Sequence, residues 1–222
     1  MPLDKRFVYE NVEIIHRVSP RNRHSYIRID GEGRVLLTSP RISEAEAHRI
    51  IGARMAWILK KLGEQREKIR PEPRLGEEVY YMGTMHPLGG NPAFDDLEAS
   101  LRRLRKRSEA SMLQCYERFY RERAADHLAE RLAHFEPLCG SSASALRIRK
   151  MRSRWGSCTA RGLVTFNSRV MQLPETLIDY IVVHELTHLH HMNHSRAFYA
   201  ALARVLPDYR RREAAIKNYG LL

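Results

Sequence analysis

The stretch that constrains this chain most is Val182–Phe198, VVHELTHLHHMNHSRAF, which gathers five of the 11 histidines into seventeen residues. Ile178, Ile181, Val182, Val183, Leu186 and Leu189 make its first half apolar over most of a helical circumference, the pattern of a buried helix. If that helix runs from Glu175 to about His190, His184 and His188 lie within roughly 40° of each other on one face. That spacing lets two imidazoles share one metal ion. Glu185 projects roughly 100° round from His184, so it stands beside such an ion and can polarise a bound water. A buried helix that keeps two histidines and a glutamate has to satisfy those groups, and a metal ion does so economically. The expected chemistry is hydrolysis. Zinc lowers the pKa of its water toward about 7, and Glu185 takes the proton and later delivers it to a leaving group.

A catalytic zinc takes a third protein ligand and keeps one position open. His194, ten residues after His184, has the spacing of a histidine reached after a sharp turn. The turn would fall on His191 and Asn193, residue types that tolerate left-handed backbone. His191 is the rival ligand, roughly 20° off the His184 stripe if the helix continues. Three ligands on successive turns of one straight helix converge poorly on a tetrahedral ion, which ranks His191 second. Asp208 and Glu213 are acidic alternatives from a later helix, and His190 faces away. Tyr180, Tyr199, Tyr209 and Arg212 are candidate donors to a developing oxyanion, and the sequence does not choose among them.

The length of 222 residues allows one compact domain or two small ones, and 43% hydrophobic with 29% charged residues marks a soluble globular chain. The N-terminal MPLDKRFVYENVEII has no continuous apolar run, and no segment approaches the about eighteen apolar residues of a membrane span. Neither a signal peptide nor a membrane partner is expected. Cys115, Cys139 and Cys158 are odd in number and lack zinc-knuckle spacing, which fits free thiols in a cytoplasmic protein. Cys158 reads as a small packed residue, not a nucleophile. The net charge of +12, with clusters at Arg102–Arg107, Arg147–Arg154 and Arg210–Arg212, admits nucleic acid or a nucleotide as partner beside a peptide or protein substrate. No aromatic platform interleaves with these clusters, so solvated faces are the simpler reading.

Taken in order, Phe7–His16, Tyr26–Asp30 and Arg34–Thr38 read as short strands, with GEG at Gly31–Gly33 as a hairpin turn. Ser43 and Glu46 form a capping box for a helix to about Lys68, which Pro71 and Pro73 end. Val79–Met82 is a short strand before the breaker-rich HPLGGNP. A long helix follows from about Asp96 to Phe135, with a bend expected near Ser108–Ser111. Beyond Pro137 and Gly140 the period becomes alternating. Leu146–Ile148 and Leu163–Asn167 read as a hairpin, with WGSC and ARG as loop and turn. An edge strand there would hold an extended peptide across the metal. Pro174 opens the histidine helix, Ser195 caps a second, and Pro207–Asp208 open a third that Gly220 stops. The fold class is α+β. The divisions expected are 1–95, a β-rich region with one helix; 96–140, a long linking helix; and 141–222, the metal-binding catalytic domain.

The run WGSC, FNSRVMQLP, IDYIVVHELTHLHHMNHSRAFY and LPDY resembles the YgjP-like metallopeptidase family, relatives of the SprT and WLM zincin-type domains. The likeness spans Leu146–Tyr219 in motif order and spacing, and HRVSPRNRHSYIRIDGEGRVLLTSP is similar to that family's β-rich leader. Between Thr84 and Ser111 the pattern departs: GGNPAFDD and an arginine-rich helix stand where further strands belong, which predicts a smaller leader sheet. The resemblance implies a zincin-like minimal catalytic domain and zinc held by His184, His188 and His194, with Glu185 as base. It leaves the substrate open. Some family members are linked to nucleoside triphosphate hydrolysis, and SprT relatives act on proteins bound to DNA. A metal-dependent phosphohydrolase and a DNA-associated protease therefore stand as alternatives to a peptidase.

Overall fold

The computed structural model describes residues 4–30, 33–66 and 71–220. Its contacts divide the chain into two compact units, residues 1–69 with 220–222, and residues 70–219. The breaks expected at 95 and 140 both fall inside the second unit. The reason is a shared core, since Val79 and Phe94 belong to the same buried cluster as Phe119, Leu128, Val164 and Ile178.

In the first unit, β1 (Lys5–Tyr9), β2 (Val12–Val18), β3 (Tyr26–Ile29) and β4 (Val35–Ser39) form one sheet in the order β1-β2-β4-β3. The segment read as one strand from Phe7 to His16 is two, folded back at Glu10 and Asn11, whose φ angles of 45° and 64° are those of a tight hairpin turn. β2 and β4 run parallel, while β3 pairs antiparallel with β4. Gly31 and Glu32 of the expected GEG turn lie outside the described residues, as does the expected helix end near Lys68. Ser43 Oγ accepts from Glu46 N at 3.2 Å, so half of the capping box forms; the Glu46 carboxylate pairs with Arg49 instead. The helix is interrupted, giving α1 (Glu44–Gly52) and α2 (Met55–Arg66). Gly52 leaves room at the break for the Tyr9 hydroxyl, which would lie 2.5 Å from a Cβ there. Ala47, Ile51, Met55 and Ile58 cover Ile14, Val35 and Leu37 of the sheet.

The second unit opens with a hairpin, β5 (Glu78–Tyr81) and β6 (Thr84–Pro87). Helix α3 (Asp95–Arg102) is separated from α4 (Glu109–Cys139), so the anticipated bend is a full break, and the arginine-rich run from Arg103 to Arg107, expected as helix, lies in that break. Helix α4 is the spine of the unit. Tyr116, Tyr120, Ala124, Leu128 and Leu132 recur every fourth residue and are all buried, which lays a continuous apolar stripe along one face. Tyr116 Oη donates to Glu78 O at 2.7 Å and Tyr120 Oη to Tyr80 O at 2.8 Å, tying the spine to the hairpin. Gly140 ends the helix in left-handed conformation, φ 65°.

A second sheet follows, with β7 (Ala145–Arg149), β8 (Gly156–Cys158) and β9 (Leu163–Asn167) in the order β7-β9-β8. The anticipated hairpin between Leu146–Ile148 and Leu163–Asn167 is instead a parallel pair. The residues read as a loop, GSC, supply the antiparallel strand β8. Three helices complete the unit: α5 (Glu175–Thr187), α6 (Arg196–Val205) and α7 (Tyr209–Ile216). The tip of the β5–β6 hairpin fixes the entry to α5, because Met82 N and Gly83 N donate to Met171 O and Gln172 O at 2.8 and 3.2 Å. Gly83, at φ 84°, has Pro174 where a Cβ would stand. No helix among the described residues is long and apolar enough to cross a membrane.

Between α4 and α5, Arg131 Nε donates to Asp179 Oδ1 at 2.7 Å, while His127 Nε2 is buried without a hydrogen-bond partner among the described residues. Burial holds the His127 imidazole below its ordinary pKa. With the folded-state value below the unfolded value of about 6.5, this residue's stability contribution is intact above that pH and lost as pH falls below it. His127→Gln is expected to flatten the decline of the urea midpoint on going from about pH 7 to about pH 5.

Candidate metal centre

Helix α5 is apolar because it is enclosed: Ile178, Val182, Val183 and Leu186 are fully buried. It stops at Thr187, with His188 as its C-cap, and the chain turns before Ser195 caps α6 by accepting from Phe198 N. That turn brings His194 back onto His184 and His188. Ring centroids lie 4.9 Å apart for His184–His188, 5.0 Å for His184–His194 and 4.8 Å for His188–His194. One nitrogen from each of the three falls within 4.8 Å of the others. His194 is exposed while His184 and His188 are half-buried, so the cluster opens toward solvent on the His194 side.

Protonation favours ligation. His188 Nδ1 donates to His191 O at 3.0 Å, which leaves Nε2 with its lone pair free. Burial, reinforced by the like charges His188 and His194 would carry, pushes His184 down to about 3, and burial also lowers His188. Neutral imidazoles are the form that binds metals. The residues fit such an ion on a second ground. His184 Nε2 and His194 Nε2 stand 3.1 Å apart, close to the about 3.3 Å between two ligands of a tetrahedral ion with bonds of about 2.0–2.1 Å. Glu185, next along the helix, is 5% exposed, and burial pushes its carboxyl up to about 8 against the opposing pull of the Arg154 charge.

Residues 23–219 match the family described as "YgjP-like, metallopeptidase domain". The chain belongs to the YgjP-like metallopeptidase family. Members of such a family are metal-dependent peptidases, and the family as a whole implies a metal ion. The metallopeptidase zymogen of Pyrococcus abyssi abylysin is a similar solved structure, at 24% identity over 43% of this chain and 99% of that one, with a TM-score of 0.39. No curated protein matches the chain.

In this YgjP-like chain the rival ligands stand outside the grouped histidines. His191 contributes its backbone carbonyl to His188. Asp208 accepts from Arg212 Nε at 2.8 Å, and neither it nor Glu213 belongs to the histidine cluster. His190 Nε2 contacts Gly140 O at 3.1 Å, away from the cluster. Among the candidate oxyanion donors, Arg212 is committed to Asp208 and to Thr176 O. Tyr209 Oη accepts from Arg210 Nε at 3.2 Å while its ring stacks on Tyr199. Tyr180 and Tyr199 lie nearest the cluster, with centroids 5.8 Å from His184 and 6.2 Å from His194. The Cys158 thiol donates to Thr159 O and is pushed up by burial, so it is no thiolate nucleophile.

Two residues that position the site escape sequence reading. Phe198 is fully buried, with its centroid 5.0, 4.7 and 4.8 Å from those of His184, His188 and His194. The available signal was its place four residues after His194, on the inner face of α6. Gly156 is the other: a Cβ there would fall 2.5 Å from Glu185 Oε1 and 2.7 Å from its Cγ. Glycine at this position lets the carboxylate lie flush against β8. Gly156→Ala is expected to lower stability by about 1–3 kcal/mol, read from the denaturant midpoint.

Strand β8 is also a free edge. Asn167 N donates to Trp155 O and Thr159 N to Leu163 O, so Trp155 and Thr159 turn their backbone groups toward β9. By alternation Ser157 does the same, and Gly156 and Cys158 direct theirs outward.

Proposed function

We propose that the chain is a zinc-dependent peptidase in which His184, His188 and His194 hold the ion and Glu185 is the general base. The observation that carries this reading is the placement of three imidazole donors, open on one side, beside a buried carboxylate. A bound zinc would supply a Lewis acid for the scissile carbonyl and lower the pKa of the attacking water toward about 7. Glu185 accepts the proton of that water and returns it to the departing amine. Its burial favours the protonated form, so the carboxylate takes up the water's proton readily and holds it until the amine departs. Gly156 and Cys158 offer their outward N–H and C=O groups to an extended peptide, which sets the substrate backbone beside Glu185. Tyr180 and Tyr199, the candidate donors whose rings lie nearest the histidines, would steady the developing oxyanion.

The three free thiols accord with a cytoplasmic setting. A phosphohydrolase acting through two metals needs a second, acidic cluster, and none is assembled among the described residues. The test is hydrolysis of a broad set of quenched fluorescent peptides. Activity should vanish on chelation and return on adding about one equivalent of zinc. If zinc-loaded protein cut none of these peptides, the peptidase reading would be wrong.

A further inference from the structure

The site described above accounts for the metal and the base but not for the charge around them. From Pro137 to Pro174 the sequence contains seven arginines and lysines and no aspartate or glutamate, although the whole chain carries 26 acidic residues. This segment builds β7, the loop into β8, β8 itself and β9. Lys150 and Arg169 share Glu117, at 2.6 and 3.6 Å. Arg147, Arg149, Arg152, Arg154 and Arg161 are exposed, and none forms an ion pair among the described residues.

The loop that carries Arg152 and Arg154 is built, not slack. Asn167, fully buried, donates through Nδ2 to Met151 O at 2.8 Å and to Arg154 O at 3.1 Å, while its Oδ1 accepts from Arg169 N at 3.2 Å. One side chain thus fixes both ends of the Met151–Arg154 turn. Trp155, directly after it, packs against the core. Arg154 precedes Gly156 by two residues, roughly 7 Å along an extended chain, and its charge reaches Glu185.

From this placement, and resting on the peptidase reading, we infer that the enzyme selects acidic peptides. A substrate strand laid on the free edge of β8 carries the residue opposite Gly156 past the base. Residues about two positions to one side then come alongside Arg154, with Arg152 beyond it. An aspartate or glutamate there meets an unpaired guanidinium that is planar, permanently charged and able to bind a carboxylate with two hydrogen bonds. Nucleic acid is the other polyanion that a basic strip attracts. The short peptide-pairing edge favours the peptide.

The experiment measures kcat/KM of the zinc-loaded full chain on matched peptides that differ only in acidic, neutral or basic residues flanking the cleaved bond. Wild type should prefer the acidic peptide over the neutral one by roughly fivefold per acidic residue, less at high salt. Arg154→Gln should bring that ratio toward unity, Arg154→Lys should keep much of it, and Arg154→Glu should reverse it in favour of the basic peptide. Neutral peptides cut as well as acidic ones would overturn the inference and leave the peptidase reading intact. So would an unlabelled DNA oligonucleotide that abolished cleavage at concentrations where an uncleavable acidic peptide did not. Cleavage of no peptide at all would overturn both readings together.

Discussion

Glu185→Gln is expected to keep zinc at one ion per chain and to lower kcat by roughly 10²–10⁴-fold, the range that positioned proton transfer contributes. Glutamine has the shape of the carboxyl it replaces and carries no charge. Because Glu185 is only 5% exposed, and burial already pushes its carboxyl up to about 8, the substitution removes a group that is costly to ionise in place. The folded protein should therefore be at least as stable as wild type, which separates chemistry from folding. Glu185→Ala is the weaker experiment, since it also opens a void against Gly156, whose backbone lies flush with the side chain. Metal content by elemental analysis and single-turnover peptide hydrolysis decide the matter. Wild-type turnover in a fully loaded Gln variant would mean that Glu185 is not the base.

How much of this was legible beforehand depends on how local each cause is. The HELTH helix was, because its apolar residues and its two histidines obey one period within a single element. The approach of His194 was legible as well, since a turn of fixed length followed by a capping serine leaves the chain little freedom; Ser195 caps α6 as its type and place anticipate. Direction of strand pairing was not. Leu146–Ile148 and Leu163–Asn167 alternate alike whether they run parallel or antiparallel, and the three residues of β8 are too short and too small to announce a strand. The turn at Glu10–Asn11 was hidden for a different reason, because a glutamate seldom takes positive φ and sequence reading looks for glycine there. Composition is a weak guide to domain boundaries here. Pro137 and Gly140 look like punctuation, yet Leu132 and Phe135 before them and Val164 and Phe166 after them enter one core. Gly156 was least visible of all, since its reason for being glycine is a carboxylate twenty-nine positions later in the sequence.

The largest effect on metal binding should separate two histidines three residues apart. His194→Ala is expected to weaken zinc affinity by at least on the order of 100-fold, more than loss of a supporting hydrogen bond alone would cost, and to abolish peptide hydrolysis at limiting zinc. His191→Ala should change affinity by no more than a few fold, because His191 acts through its carbonyl, which accepts from His188 Nδ1 at 3.0 Å and survives the substitution. Folding should not confuse the comparison, since His194 is exposed and its removal leaves Phe198 in place beneath the other two rings. Competition titration against a chromogenic chelator measures both constants in the same buffer. The two rivals for third ligand make opposite demands on the backbone. His191 requires α5 to continue one more turn, whereas His194 requires it to end at Thr187 and the chain to fold back, as it does here. Reversed affinities would therefore move the ligand set onto a longer helix and undo the site geometry, not merely exchange one residue for another.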